Sequence, residues 1–246
     1  MKIAIAGATG RMGQAVQNII ERQGGDTHLA GLLSRKTARS EIELILDNAE
    51  AIIDFSTPLV STALAMSAAA HGIVHVIGTT GFSAKEEQSI ARSAKKAVII
   101  KSGNMSLGVN LIAALAKQAA EKLGAEFDIE ILDIHHRNKL DAPSGTALLL
   151  GEAAAKGRGE KLTALTSRNG KRKSGIGFAS LRTGGVIGEH DVSFASNSEI
   201  VTLSHKALDR SLFAEGALKA AMWGKIKLKK KQFGLYSMQD VLGLSS

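Results

Sequence analysis

Lys2-Ile3-Ala4-Ile5-Ala6-Gly7-Ala8-Thr9-Gly10-Arg11-Met12-Gly13 reads as a short strand that ends in glycine and runs straight into a helix. Apolar residues at Met12, Val16, Ile19 and Ile20 carry a helical period on to Gln23. Strand, glycine turn, helix is the context of a dinucleotide-binding turn. Glycine permits the tight turn and lets backbone N–H groups approach a pyrophosphate, and the helix N-terminus favours its negative charge. Gly7, Ala8, Thr9, Gly10, Arg11 and Met12 are therefore candidate cofactor contacts. The spacing is G-x-x-G-x-x-G, not the commoner G-x-G-x-x-G.

Outward from this turn, the same rhythm repeats. Strands are expected over Thr27–Leu33, Ala51–Phe55, Val74–Ile77 and Val98–Lys101. Helices are expected from Pro58 to about Ala70 and from Ser83 to Lys95, where Ser83 and Glu86 have capping-box spacing. Alternation of this kind predicts a parallel sheet covered on both faces, a Rossmann-like α/β domain. After Gly103 the pattern changes. A long apolar helix, Leu107–Leu123, precedes a strand, Phe127–His135, and a helix, Ser144–Lys156. Three strand-like stretches follow, Phe178–Arg182, His190–Phe194 and Ile200–His205, so a mixed sheet is expected there. The chain returns to helix over Arg210–Met222. Arg168–Lys173 reads as a polar, basic loop, and the lysines at 225, 227, 229, 230 and 231 as a solvated segment.

Composition removes several classes. The chain has 246 residues, a net charge of +8, 26 glycines, 2 prolines and no cysteine. Disulfides, thiolate metal sites and thiol catalysis are thereby excluded, and a reducing compartment fits. The N-terminal apolar run is too short for a signal peptide, and no run approaches ~18 apolar residues. No membrane partner and a cytoplasmic location are expected. The charge raises nucleic acid as a partner, but aromatics are only 4%, which argues against base stacking. The only tyrosine, Tyr236, has Asp240 and not lysine four residues on, so the Tyr-x-x-x-Lys mechanism of short-chain dehydrogenases is unavailable.

Cofactor choice is read at the end of the second strand. An acid there holds the ribose hydroxyl of NAD, whereas arginine accommodates the 2′-phosphate of NADP. The stretch is Leu33-Ser34-Arg35-Lys36, with Glu41 the next acid, so Arg35 favours NADPH, with NADH as an alternative donor. Gly78-Thr79-Thr80-Gly81 and Ser102-Gly103-Asn104-Met105 follow the fourth and fifth strands, at the carboxyl ends where open sheets bind ligands. The densest polar string is His135-His136-Arg137-Asn138-Lys139-Leu140-Asp141-Ala142-Pro143-Ser144-Gly145-Thr146. Two histidines and a lysine offer acid–base groups, and a helix start near Ser144 offers N–H groups to a carboxylate. No second histidine or carboxylate lies at a recognised metal-ligand spacing, so no metal is expected.

These strings, with Asp54-Phe55-Ser56-Thr57-Pro58, Asn104 to Asn110, Arg182 to His190 and Ser204-His205-Lys206, resemble the dihydrodipicolinate reductase family over nearly the whole chain. The resemblance implies a dinucleotide-binding domain from residues 1–106 and 211–246. It implies a central α+β domain, 107–210, for substrate binding and tetramerisation. It further implies NAD(P)H-dependent reduction of 4-hydroxy-tetrahydrodipicolinate, a cyclic dicarboxylate, to tetrahydrodipicolinate with loss of water, in lysine and diaminopimelate biosynthesis. By position, His135 is then the acid/base residue and Lys139 the proton donor. His136, Ser144, Gly145 and Thr146 become substrate contacts, while Gly78, Thr79, Thr80, Ser102, Gly103, Asn104 and Met105 join the cofactor site. Many members carry Glu where Ser34 stands, which strengthens the NADPH expectation. A shorter segment between strands two and three is expected to trim a surface helix.

Three rivals share parts of this pattern. Another NADP-dependent reductase of a small acid would keep the glycine turn but not the His135–Thr146 string. A non-catalytic NADP sensor would lack titratable residues at the sheet's mouth. A nucleic-acid binder would need aromatics among its lysines.

Overall fold

The computed structural model describes residues 1–166 and 174–244; the loop expected over Arg168–Lys173 lies outside the described residues. The chain divides into two compact units, Met1–Leu107 with Ser211–Ser246, and Gly108–Arg210.

In the first unit, β1 (Lys2–Ala6), β2 (His28–Leu33), β3 (Ala51–Asp54), β4 (Val74–Ile77), β5 (Val98–Lys101) and β11 (Gly234–Tyr236) form one sheet in the order β11-β5-β4-β3-β1-β2. All of its pairings are parallel. The strands are apolar throughout because both faces are covered. Alternation sorts each strand between them. Ile3, Ile5, Ile53, Val74, Val76, Val98 and Ile100 pack with α1 (Arg11–Gln23) and α7 (Ser211–Lys229). Ala4, Ala6 and Ile52 face α2 (Arg39–Asn48) and α3 (Pro58–His71), while Ile77 and Ile99 join Ile90 of α4 (Ala84–Ser93). Strand order reverses between β1 and β3, which makes their carboxyl ends the topological switch point where such sheets bind ligands.

In the second unit, β6 (Asp128–His135), β7 (Ala164–Leu165), β8 (Ile176–Arg182), β9 (Glu189–Ala195) and β10 (Ile200–Lys206) form a mixed sheet, ordered β10-β9-β6-β8-β7. Its core packs α5 (Leu107–Leu123) and α6 (Gly145–Gly157) on one face through Ile112, Ala116, Ala147, Leu150 and Ala154. The face is written in period two. Ile129 and Ile131 of β6, Ile176 and Phe178 of β8, and Val192 and Phe194 of β9 make the apolar rows.

Several details differ from the sequence expectation. The segment between β2 and β3 does form a helix, α2, whose Leu46 is fully buried. The last long helix does not stop at Met222 but runs to Lys229 and takes in part of the lysine run. Those lysines are not all solvated: Lys225 pairs with Glu50 at 2.5 Å, and Lys227 lies 5.0 Å over the Trp223 ring. A final short strand, β11, and a capped turn of helix, α8 (Met238–Val241), complete the first unit. Among the described residues, no helix is long and apolar enough to cross a membrane.

Candidate active site

The glycine turn of the first unit has a distinct steric reason at each end. Gly7 has φ +76° and a Cβ there would stand 2.4 Å from the Phe55 carbonyl oxygen. A Cβ on Gly13 would stand 2.3 Å from the Gly7 carbonyl oxygen. Gly10 is the N-cap of α1 and makes no side-chain cap bond, and no acid occupies the first turn. The first-turn N–H groups of α1 are thus left for an anion. Thr9, Gly10 and Arg11 are exposed beside them, and Ala8 is buried with its methyl in the core. The two glycines thus let backbone pack directly on backbone beneath the start of α1.

Next to it stands a buried carboxylate that the sequence reading did not assign to the site. Asp54, fully buried, accepts from the Ser56 amide at 2.9 Å and the Ser56 hydroxyl at 2.5 Å. Thr79 Oγ1 donates to that same oxygen at 3.4 Å, and the other oxygen is 3.1 Å from His75 Nε2. Burial pushes its pKa up, but the His75 contact and the Ser56 hydroxyl outweigh that and hold it below the usual carboxylate value. Asp54 thereby ties the end of β3 to the Gly78–Thr80 loop after β4. Thr80 and Gly103 are neighbours, so the two expected cofactor loops meet. At the end of β2, Arg35 and Lys36 are exposed on a turn closed by Ser34 and Thr37, and Arg39 begins α2 just beyond.

The second unit builds its polar site by continuing the core rows of its sheet. In β6 the core-facing positions run Ile129, Ile131, Asp133, His135. Parallel register sets Asp133 beside Ser180 and His135 beside Arg182, and antiparallel register sets Asp133 beside His190. Three apolar rows therefore end in polar residues at one edge, where α6 begins. Asp133 is fully buried. Its Oδ2 accepts from the Ser144 amide at 2.9 Å, the Ser180 hydroxyl at 3.0 Å and Arg182 Nη2 at 3.1 Å. Its Oδ1 lies 2.5 Å from His135 Nδ1 and 3.8 Å from His190 Nε2. Burial raises the Asp133 pKa, and the Ser144 amide and Arg182 more than reverse it, so the carboxyl stays ionised. Burial lowers the His135 pKa, Asp133 opposes this, and Lys139 and Arg182 add to it. His190 is pushed down to about 4, first by burial and then by the neighbouring His135. Both rings are neutral at pH 7.

Lys139 sits on the loop after β6, its Nζ 2.8 Å from Asp141 Oδ1. Arg182 Nη2 also donates to the Asp141 carbonyl at 2.6 Å, and the Thr183 amide donates to the His135 carbonyl at 2.8 Å. These bonds hold the loop against the sheet's end. Gly145 is exposed at the first turn of α6, with His136 and Thr146 half-buried.

The model "Dihydrodipicolinate reductase, N-terminus" matches residues 1–105, and "Dihydrodipicolinate reductase, C-terminus" matches 108–242. The chain belongs to the dihydrodipicolinate reductase family. It is 51% identical to the 4-hydroxy-tetrahydrodipicolinate reductase of Caulobacter vibrioides over 261 residues, covering 99% of this chain and 97% of the relative. It is 48% identical to that of Parvibaculum lavamentivorans over 270 residues, covering 99% and 98%. Its fold is similar to a dipicolinate-bound dihydrodipicolinate reductase from Paenisporosarcina sp. TG-14, with TM-score 0.78, 25% identity and 98% of both chains covered.

Within this family member, two of the expected contact residues have buried side chains. Ser144 is 1% exposed, and its hydroxyl caps α6 by accepting the Ala147 amide at 3.1 Å while lying 3.1 Å from His190 Nε2. That hydroxyl shapes the helix start. Met105 is 2% exposed in the core between the sheet and α7, so its side chain supports the 102–105 loop from beneath. Spacing also missed the trio Asp133, His135 and His190, whose donor atoms lie within 4.8 Å of one another. Two ligands of a tetrahedral zinc with bonds near ~2.0–2.1 Å stand about 3.3 Å apart, wider than the 2.5 Å between Asp133 Oδ1 and His135 Nδ1. With Arg182 already on the same carboxylate, the arrangement suits proton handling better than a cation.

Proposed function

We propose that this chain reduces 4-hydroxy-tetrahydrodipicolinate to tetrahydrodipicolinate with loss of water, in lysine and diaminopimelate biosynthesis, using NADPH in preference to NADH. The observation that carries the reading is the His135–Thr146 string built onto a neutral histidine, a lysine and a helix N-terminus, in a chain covered end to end by the family. NADPH when bound supplies the hydride. The Gly7–Gly13 turn and the first turn of α1 would hold its pyrophosphate, and the 78–80 and 102–104 loops would line the rest of the site. Arg35 and Lys36 would hold the 2′-phosphate, with no carboxylate in that turn to repel it.

In the second unit, the first-turn N–H groups of α6, around Gly145 and Thr146, bind a substrate carboxylate, assisted by His136. Loss of the ring hydroxyl as water leaves a conjugated imine, and reduction of that imine places negative charge on the ring. Lys139 delivers the proton that cancels it, released from Asp141, and His135 serves as the acid/base partner beside it. Help of this kind is worth ~10²–10⁴-fold. Tetramerisation through the second unit belongs to the same proposal; Leu181, Ile200 and Val201, 51%, 69% and 37% exposed on its sheet, are apolar surface such an assembly covers.

The test is a coupled assay in which the preceding synthase, pyruvate and aspartate semialdehyde generate the substrate and NADPH absorbance is followed. Oxidation above the synthase-only blank is expected, and its absence overturns the activity. A higher kcat/KM with NADH overturns the cofactor preference. A native mass of a single chain overturns the tetramer.

A further inference from the structure

We propose that Asp133 is the positioning residue of the reaction: its carboxylate accepts from the Nδ1–H of His135, leaves Nε2 as the working nitrogen, and fixes that ring to the start of α6. The proposal rests on the function proposed above. Asp133 Oδ1 and His135 Nδ1 are both buried and neither has another hydrogen-bond partner among the described residues, yet they lie 2.5 Å apart. The approach is off the ring's N–H axis, as catalytic hydrogen bonds often are before a substrate tightens them. The other carboxylate oxygen cannot yield, because the Ser144 amide, Ser180 hydroxyl and Arg182 guanidinium all hold it. A carboxylate clamped on one side presents its free oxygen in one place. The nitrogen that faces that oxygen carries the proton, and the other nitrogen is left with the lone pair. Nε2 in turn faces Gly188, where a Cβ would stand 3.0 Å from it.

The groups that face His135 come from several elements. Asp133 lies on its own strand, Arg182 on β8, His190 on β9 with ring centroids 5.0 Å away, and Lys139 on the loop. His205 on β10 acts on His190. Asp133 is the anion among them, so its loss lets the cations and burial move the His135 titration to lower pH. It also frees the Nδ1/Nε2 choice. A purely structural Asp133, needed only to seat α6 and Arg182, would leave the Nδ1/Nε2 choice unset.

Nitrogen NMR of histidine-labelled full-length protein at neutral pH reads the tautomer directly. The expected result is a protonated Nδ1 and a bare Nε2 on His135; the opposite tautomer overturns the proposal without any variant being made. In Asp133→Asn, the His135 titration should shift to lower pH and kcat should fall about 10²-fold with the KM for NADPH unchanged. An unchanged titration and kcat in Asp133→Asn overturns the proposal. If wild-type protein shows no turnover in the coupled assay, the functional reading falls, and the tautomer and titration still decide the role of Asp133.

Discussion

At the scale of a single side chain, the proposed preference for NADPH rests on Arg35. It is exposed, lies beside Lys36, and has no acid within its turn. A hydrogen-bonded charge pair with a phosphate is worth about 1.5–3 kcal/mol, so Arg35→Ala should raise the KM for NADPH by about 10- to 100-fold. The KM for NADH should barely move, and steady-state kinetics with both cofactors checks this. Arg35, His135 and Lys139 are proposed from sequence because each sits in a local string of telling residue types. Asp133 and His190 were not, although one signal existed. In Ile129-x-Ile131-x-Asp133-x-His135 a carboxylate occupies the core-facing register of a strand, which is costly unless it is partnered. Its partners, Ser180, Arg182 and His190, are distant in sequence and become adjacent only through strand register.

At the scale of elements, α7 is held to the sheet by absent side chains. A Cβ on Gly216 would stand 1.8 Å from the Met105 carbonyl oxygen, a backbone atom that cannot rotate away. Gly216→Ala should therefore push α7 off the sheet, at a cost of about 1–3 kcal/mol as for other overpacked cores. Because Met105 ends the loop after β5, the same variant should raise the KM for NADPH; thermal unfolding and kinetics together check both effects. Most elements were legible because their periods are long and clean. The Ser83–Glu86 capping box is present as its spacing predicts. The misses have physical causes. Helix α2 hides its helical spacing of Ile42, Ile45 and Leu46 within a strongly charged segment. Strand β11 is only Gly234–Tyr236, too short for alternation to show, and exists because it pairs with β5, far back in the chain.

Across the whole molecule, buried neutral histidines make the fold sensitive to acid. His190 titrates near 4 when folded against 6.5 in the unfolded chain. Between those values the unfolded chain binds more protons, so stability is complete above pH 6.5 and declines as pH falls towards 4. At ~1.36 kcal/mol per unit, His190 alone contributes about 3 kcal/mol to that loss. His135 and His205 are shifted in the same direction. The paired carboxylates Asp54 and Asp133 act in a lower window, below their ordinary value of 3.8. Urea unfolding at pH 7 and pH 5 should show the decline, with a flatter response in His190→Gln. The proposed function gives the cofactor to the first unit and proton delivery to the second. Turnover of His135→Gln and Lys139→Ala in the coupled assay, alongside NADPH binding by the same proteins, separates these tasks most directly. The expected result is kcat lowered by about 10²-fold or more in each with NADPH affinity unchanged; near-full kcat in both variants would contradict the assignment.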